Sequence, residues 1–340
     1  TVMEGRPNAT FSEADWLGAY CLFVGALLFM LFFSFLEKSL KEKKSVMQIF
    51  AKATPWFLIG FQVLTAVVLV IALSRSAWLG ALLGGSVIFV TLFLKEKIRQ
   101  TNFIQSAILL GVSVLSFGLG IFLTVLFHLT PFPLLDRAQS TTNALQEITV
   151  SCSKETVLPS SIENMESLSS FDCRHIRLEE IDAEQALGRS VQKVDRPDPN
   201  VQIRAEIYGK TKEIIREHWL FGIGWGNISQ FLGTDERGAG LNASNMFLEV
   251  WLGSGLIGLI AFTIFWVALF GRALFQFFAG QENRALPLLV MIWWLFLSVF
   301  NLFNSGMLLG FFFLVLGVGA ALLEDMRFPK GVTLFQKKNV

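Results

Sequence analysis

Seven runs of apolar residues are the strongest constraint on what this chain can fold into. A helix needs about 20 residues to cross roughly 30 Å of hydrocarbon, and a backbone in lipid must satisfy its own polar groups. The runs lie near 15–36, 54–73, 77–94, 103–128, 246–270, 286–303 and 307–323, the third and sixth being short at about 18 residues. Composition agrees with them, because 53% of the 340 residues are hydrophobic and only 16% charged, too apolar a balance for a soluble domain of this size. The 34 Phe and 9 Trp against 2 Tyr suit side chains that face lipid or the belts at its edge. The expected fold is an all-α polytopic membrane protein with about seven transmembrane helices.

The runs divide the chain into three parts. Residues 1–128 form an N-terminal membrane part of four helices, 129–245 a long polar insertion, and 246–340 a membrane part of three helices with a polar tail. Lys and Arg set the orientation, since short cytoplasmic loops carry the excess of cations. Segments 37–53, 95–102, 271–285 and 324–340 hold 14 cations, against two, Arg6 and Arg75, in the short segments of the opposite side. The four basic segments are therefore expected in the cytoplasm, with the insertion on the outward, periplasmic side. The first residue is Thr1, and no basic segment with a short apolar core precedes the first run, so a processed or truncated chain is expected.

Cys152 and Cys173 both fall in the insertion, where an oxidising compartment would let them pair; two free thiols are the alternative. Two Cys without a His at ligand spacing make neither a zinc site nor any other metal site, and no cofactor motif is present. Residues 136–198 are rich in Ser, Thr, Asp and Glu and read as partly mobile. A helix is signalled after them by Asp198 as cap, Pro199 at the first position, and Ile203, Ile207 and Ile214 at near-helical spacing. Its place would be along the membrane surface. The insertion carries 12 Lys and Arg against 17 Asp and Glu, and the whole chain a net charge of +1, so neither nucleic acid nor a general attraction to anionic lipid is expected.

A few polar residues at the membrane edge are candidates for chemistry. Arg75 stands in SRSAWLG between two apolar runs, where its guanidinium either snorkels to the interface or grips phosphate oxygens with forked donors. Arg204 and Arg6 also lie on the outward side, and three such arginines together would suit a diphosphate. The run HWLFGIGWGN from His218 has a G-x-G-x-G pattern, but no strand precedes it, so its glycines read as a tight backbone turn and not a nucleotide fingerprint. His218 is either a base or a solvated helix-end histidine. Asn245 and Glu249 are four apart at the start of the fifth run, hence on one helix face. A carboxylate at that depth is either functional or snorkels from the first turn. Gly80, Gly84, Gly253, Gly255, Gly258, Gly306 and Gly310 read as close helix packing.

Four pieces, in this order, resemble the O-antigen ligase/polymerase family of bacterial membrane glycosyltransferases: RPNATFSEAD from Arg6 to Asp15, SRSAW around Arg75, Arg204 followed by HWLFGIGWGN, and SNMFLE from Ser244 followed by GSGLIGL. The resemblance covers most of residues 1–323, and only the combination is specific. It implies an inner-membrane enzyme that moves a glycan from an undecaprenyl-diphosphate carrier to an acceptor hydroxyl at the outer leaflet, with Arg75, Arg204 and Arg6 holding the diphosphate. It also implies longer relatives, so that further helices would precede this chain. The implied partners are a lipid-linked glycan and membrane lipid. One departure matters. Ligases of the family place a His before the Asn, and here the position is Ser244, which cannot accept a proton near neutral pH as imidazole can. Glu249 and His218 are then the nearest base candidates, Asn245 and Ser244 position substrate, and polymerisation of repeat units fits better than ligation. The alternative reading is a transporter of a small anion such as bicarbonate using the same arginines, against which stands the lack of ionisable residues near the middle of the spans.

Overall fold

The computed structural model describes residues 7, 9, 14–99, 103–130, 134–135, 145–153, 158–162, 165–176, 180–197, 199–234, 240–279, 284–305 and 310–325. Among them the helices are α1 Ala14–Lys41, α2 Val46–Phe50, α3 Ala53–Ile71, α4 Arg75–Arg99 and α5 Phe103–Leu126, then α6 Ile181–Ala186, α7 Pro199–His218 and α8 Ile228–Leu232, and last α9 Met246–Ala279, α10 Ala285–Asn301 and α11 Gly310–Asp325. The strands are β1 Leu145–Cys152, β2 Cys173–His175 and β3 Ser190–Pro197.

Five helices among the described residues, α1, α3, α4, α5 and α9, are long and apolar enough to cross a membrane. The other two apolar runs form shorter helices. α10 has 17 residues, which at 1.5 Å each is about 26 Å, somewhat less than the hydrocarbon thickness. The chain leaves the helix at Asn301 to build a polar loop over 302–305. α10 is nonetheless the hub of the bundle: Leu288, Leu289, Val290, Met291, Ile292 and Leu297 are all buried, on every side of the helix. An apolar helix without a polar face belongs in an interior, and α10 packs against α4, α1, α9 and α11.

Close approach in the bundle rests on small residues, as lipid tails leave helices little hydrophobic reason to associate. A methyl group at Gly84 of α4 would meet the Phe296 ring of α10 at 2.6 Å, and one at Gly18 of α1 would meet Ser74 Cβ at 2.7 Å. Gly253 and Gly255 do not serve helix packing as expected, since both meet the Gly-rich turn of the insertion, and Gly258 meets its own helix at Ser254. Gly310 has open space where a side chain would stand, and Gly306 lies outside the described residues.

The expectation of helices alone fails in the insertion. Its first part holds a three-stranded antiparallel sheet of order β2-β1-β3, running from Leu145 opposite Pro197 to Cys152 opposite Ser190, with Cys152 also opposite Cys173 on β2. Ile148, Val150 and Cys152 alternate along β1 and bury one face with Val194, Ile162 and Leu168. That period of two, apolar residues alternating with Thr149 and Ser151, is the strand signal. A disulfide joins Cys152 to Cys173 across 21 residues, and closing a loop of this length adds about 3 kcal/mol on a chain-entropy estimate. On the other face Glu184 accepts hydrogen bonds from Ser151 Oγ (2.6 Å) and Arg174 (2.7 Å), and Arg189 pairs with it.

α7 follows the sheet and packs on α9. Ile207 and Ile214 are buried with Leu252, Ile228 and Leu232, whereas Ile203 is exposed and stands outside the buried stripe. Asp198 lies outside the described residues.

Candidate active site

The Gly-rich turn and the start of α9, two separate motifs in the sequence, form one unit. α9 is interrupted at Gly255, whose φ of 68° and ψ of −170° are not helical. An interruption leaves N–H and C=O groups without helical partners, which in a membrane must be satisfied by other protein groups. The turn after α7 supplies them. Leu256 N donates to Trp219 O (2.8 Å), and Ile223 N donates to Leu252 O (2.7 Å). The Trp251 indole adds a bond to the same Trp219 carbonyl at 3.0 Å. The turn can come this close because Gly222 has a φ of 70° and no side chain: a Cβ there would collide with the Leu252 carbonyl, and one at Gly255 with the Leu220 carbonyl. The last residue of α7, His218, is exposed and meets Phe231 edge-on at 6.0 Å between ring centroids.

At the other end of this unit, Asn245 is the cap of α9 rather than a residue within it. Its Oδ1 accepts from Phe247 N (2.9 Å) and Leu248 N (3.2 Å), satisfying donors that the first turn leaves open. Its Nδ2 donates to Leu302 O at 3.0 Å. Ser244 has a φ of 49°, and its N–H donates to Asn242 Oδ1. Glu249, one turn into the helix, is only 2% exposed, which excludes the snorkelling alternative. Its Oε2 accepts from Ala243 N (2.6 Å) and from Ser305 Oγ (3.3 Å). The carboxylate thus ties the chain before α9 to the loop after α10.

The same loop reaches the Arg75 turn. Arg75 is the first residue of α4 and is half-buried, just after Leu73 at a φ of 52° and the fully buried Ser74. Asn304 Nδ2 donates to Ser76 Oγ (3.0 Å) and to Phe300 O (2.9 Å), and Ser76 Oγ is 3.4 Å from Ser74 Oγ. Ser244, Asn245, Glu249 and the Arg75 turn are therefore brought to one place by residues 302–305. Arg204 is half-buried on α7 near its start, and His218 is 14 positions further along that helix, about 21 Å by helical rise. Arg6 lies outside the described residues. Sequence reasoning missed Ser76, Asn304 and Ser305; the polar island NLFNS at 301–305 between two apolar runs was the one signal available.

Beside the Arg75 turn a cleft of about 970 Å³ opens between α1, α3, α4 and α5. Its lining is mostly apolar and includes Trp78, three residues on from Arg75, along with Phe29, Leu69, Phe89 and Phe117. That volume is at the upper end of the range for ligand sites, about 300–1,000 Å³.

A family model described as O-antigen ligase matches residues 60–263. The chain belongs to the O-antigen ligase family. The match runs from within α3, across the Arg75 turn and the whole insertion, into α9, so it includes Arg75, Arg204, His218 and the Asn245 cap. Membership and the apolar helices together give a multi-pass membrane protein of polysaccharide biosynthesis, a glycosyltransferase-like ligase in the coarse sense that the family acts on lipid-linked glycans. No curated protein and no solved structure matches the chain.

Proposed function

We propose that this O-antigen ligase family member transfers a glycan from an undecaprenyl-diphosphate carrier to an acceptor hydroxyl at the outer leaflet of the bacterial inner membrane. The observation that carries the reading is the junction of three features: the Arg75 turn, the capped and carboxylate-bearing start of α9, and the apolar cleft that Trp78 helps to line. A lipid-linked substrate needs this combination, with a cationic group for the diphosphate and an apolar wall for the chain. Arg75, with Arg204 and Arg6, holds the diphosphate and stabilises the charge that develops as it leaves. The acceptor oxygen attacks the anomeric carbon, the bond from that carbon to the phosphate oxygen breaks with inversion, and the acceptor proton passes to a base. The reaction needs no metal.

Glu249 is the better supported base. Among the described residues both of its side-chain hydrogen bonds fall on Oε2, and Oε1 is the oxygen proposed to take the acceptor proton, whereas His218 is exposed at the far end of α7 from Arg204. Ser244 stands where ligases carry His and cannot take that role. This favours polymerisation of repeat units over ligation. Reconstitution of the full-length protein with purified lipid-linked repeat units tests the reading: wild type is expected to release undecaprenyl diphosphate and extend the glycan, and Arg75→Ala to do neither. Bicarbonate flux into liposomes that depended on Arg75, with no glycan product, would replace it with anion transport.

A further inference from the structure

The loop over 302–305 makes three hydrogen bonds to two elements that are far apart in sequence. Asn304 Nδ2 reaches Ser76 Oγ across 228 positions, Ser305 Oγ reaches Glu249 Oε2 across 56, and Leu302 O receives Asn245 Nδ2 across 57. Ser305 and Glu249 are both buried, and Asn304 is held in place by its second bond to Phe300 O at the end of α10. Ser76 is the residue after Arg75. The loop therefore joins the group beside the proposed diphosphate ligand to the carboxylate proposed as base.

We infer that Asn304 and Ser305 are positioning residues that set the separation between the Arg75 guanidinium and the Glu249 carboxylate, Asn304 acting through Ser76 and Ser305 acting on Glu249 directly. The inference rests on the reading that Arg75 binds the carrier diphosphate. A single hydrogen bond between membrane helices contributes modestly to stability, so losing one changes it little. A shift of about 1 Å in a reacting group can cost on the order of a hundredfold in rate, so the same loss weighs far more on activity. The two residues also separate kinetically. Asn304→Ala frees the Arg75 turn and weakens hold on the carrier, whereas Ser305→Ala leaves carrier affinity alone and disturbs the group that takes the proton.

The test uses full-length protein in nanodiscs, with undecaprenyl diphosphate as binding probe and lipid-linked repeat units as substrate. Asn304→Ala and Ser76→Ala are each expected to weaken probe binding several-fold and raise KM, and the double variant to lose no more than the worse single one. Ser305→Ala is expected to bind the probe as wild type does and to lose roughly ten- to a hundredfold in kcat, with Ser305→Thr, which keeps the hydroxyl, regaining most of it. A thermal midpoint near that of wild type accompanies each. If wild type binds the probe and Arg75→Ala does not, while Asn304→Ala and Ser305→Ala bind and turn over like wild type, the positioning roles are wrong and the site stands. Equal loss of binding and rate in every variant, with no regain by Ser305→Thr, also overturns them. If wild type itself fails to bind, the diphosphate reading fails and the positioning roles fall with it.

Discussion

Single residues carry consequences that can be measured. Asn245 both caps α9 and holds the Leu302 carbonyl. Asn245→Ala should destabilise the protein by about 1 kcal/mol from the cap alone, and Asn245→Asp should keep the cap yet lose the bond to Leu302, a difference that thermal unfolding of the two variants would resolve. Glu184 in the sheet of the insertion gives a pH effect. The Ser151 hydroxyl first, then Arg174 and Arg189, hold its carboxyl below the ordinary 4.5, against the opposing pull of burial. A carboxyl lowered in the folded state contributes stability that is complete above 4.5 and is lost as pH falls from there through its lowered value. Hydrogen-exchange protection of β1 should therefore hold at neutral pH and decline below 4.5, and Glu184→Gln should remove most of that slope. Unchanged protection down to strong acid in the wild type would contradict the assignment.

At the scale of elements, the contact between the Gly-rich turn and the break in α9 is the feature most exposed to test. Gly255→Ala puts a side chain into a left-handed backbone position and onto the Leu220 carbonyl, costing about 1–3 kcal/mol of strain if the break persists. Faster exchange of the Trp219 to Ile223 amides, with loss of transfer activity, is the expected outcome; exchange identical to wild type would show that the turn does not depend on the break. α1, α3 and α5 were legible because a membrane span needs about 20 consecutive apolar residues, and α7 because Ile207 and Ile214 recur at helical spacing. The break was not, since a glycine in an apolar run suits helix packing as well as an interruption. The sheet was missed for a different reason. Ile148, Val150 and Cys152 alternate with polar Thr149 and Ser151 as a half-buried strand does, but the run lies in a segment whose Ser, Thr, Asp and Glu content suits a mobile chain. Both polar residues are in fact buried, Ser151 on the Glu184 carboxylate. Asn304 and Ser305 act across 228 and 56 positions, a distance over which local pattern carries no information.

For the whole molecule, the uneven distribution of Lys and Arg predicts that the insertion lies outside the cytoplasm. Leu187 is highly exposed in the turn after α6, and a Leu187→Cys variant in right-side-out spheroplasts should react with a membrane-impermeant thiol reagent before any permeabilisation. Replacing Cys152 and Cys173 by Ser should cost the sheet about 3 kcal/mol, read as raised protease sensitivity of the insertion with the bundle intact. The central claim is that the Arg75 turn and the insertion serve one transfer from a lipid diphosphate. Its most direct test is the surface polysaccharide ladder of a deletion strain complemented with the full-length gene, as wild type and as Arg204→Ala. The account predicts single repeat units without the gene and a full ladder restored by wild type alone; a ladder unchanged in every strain would contradict it.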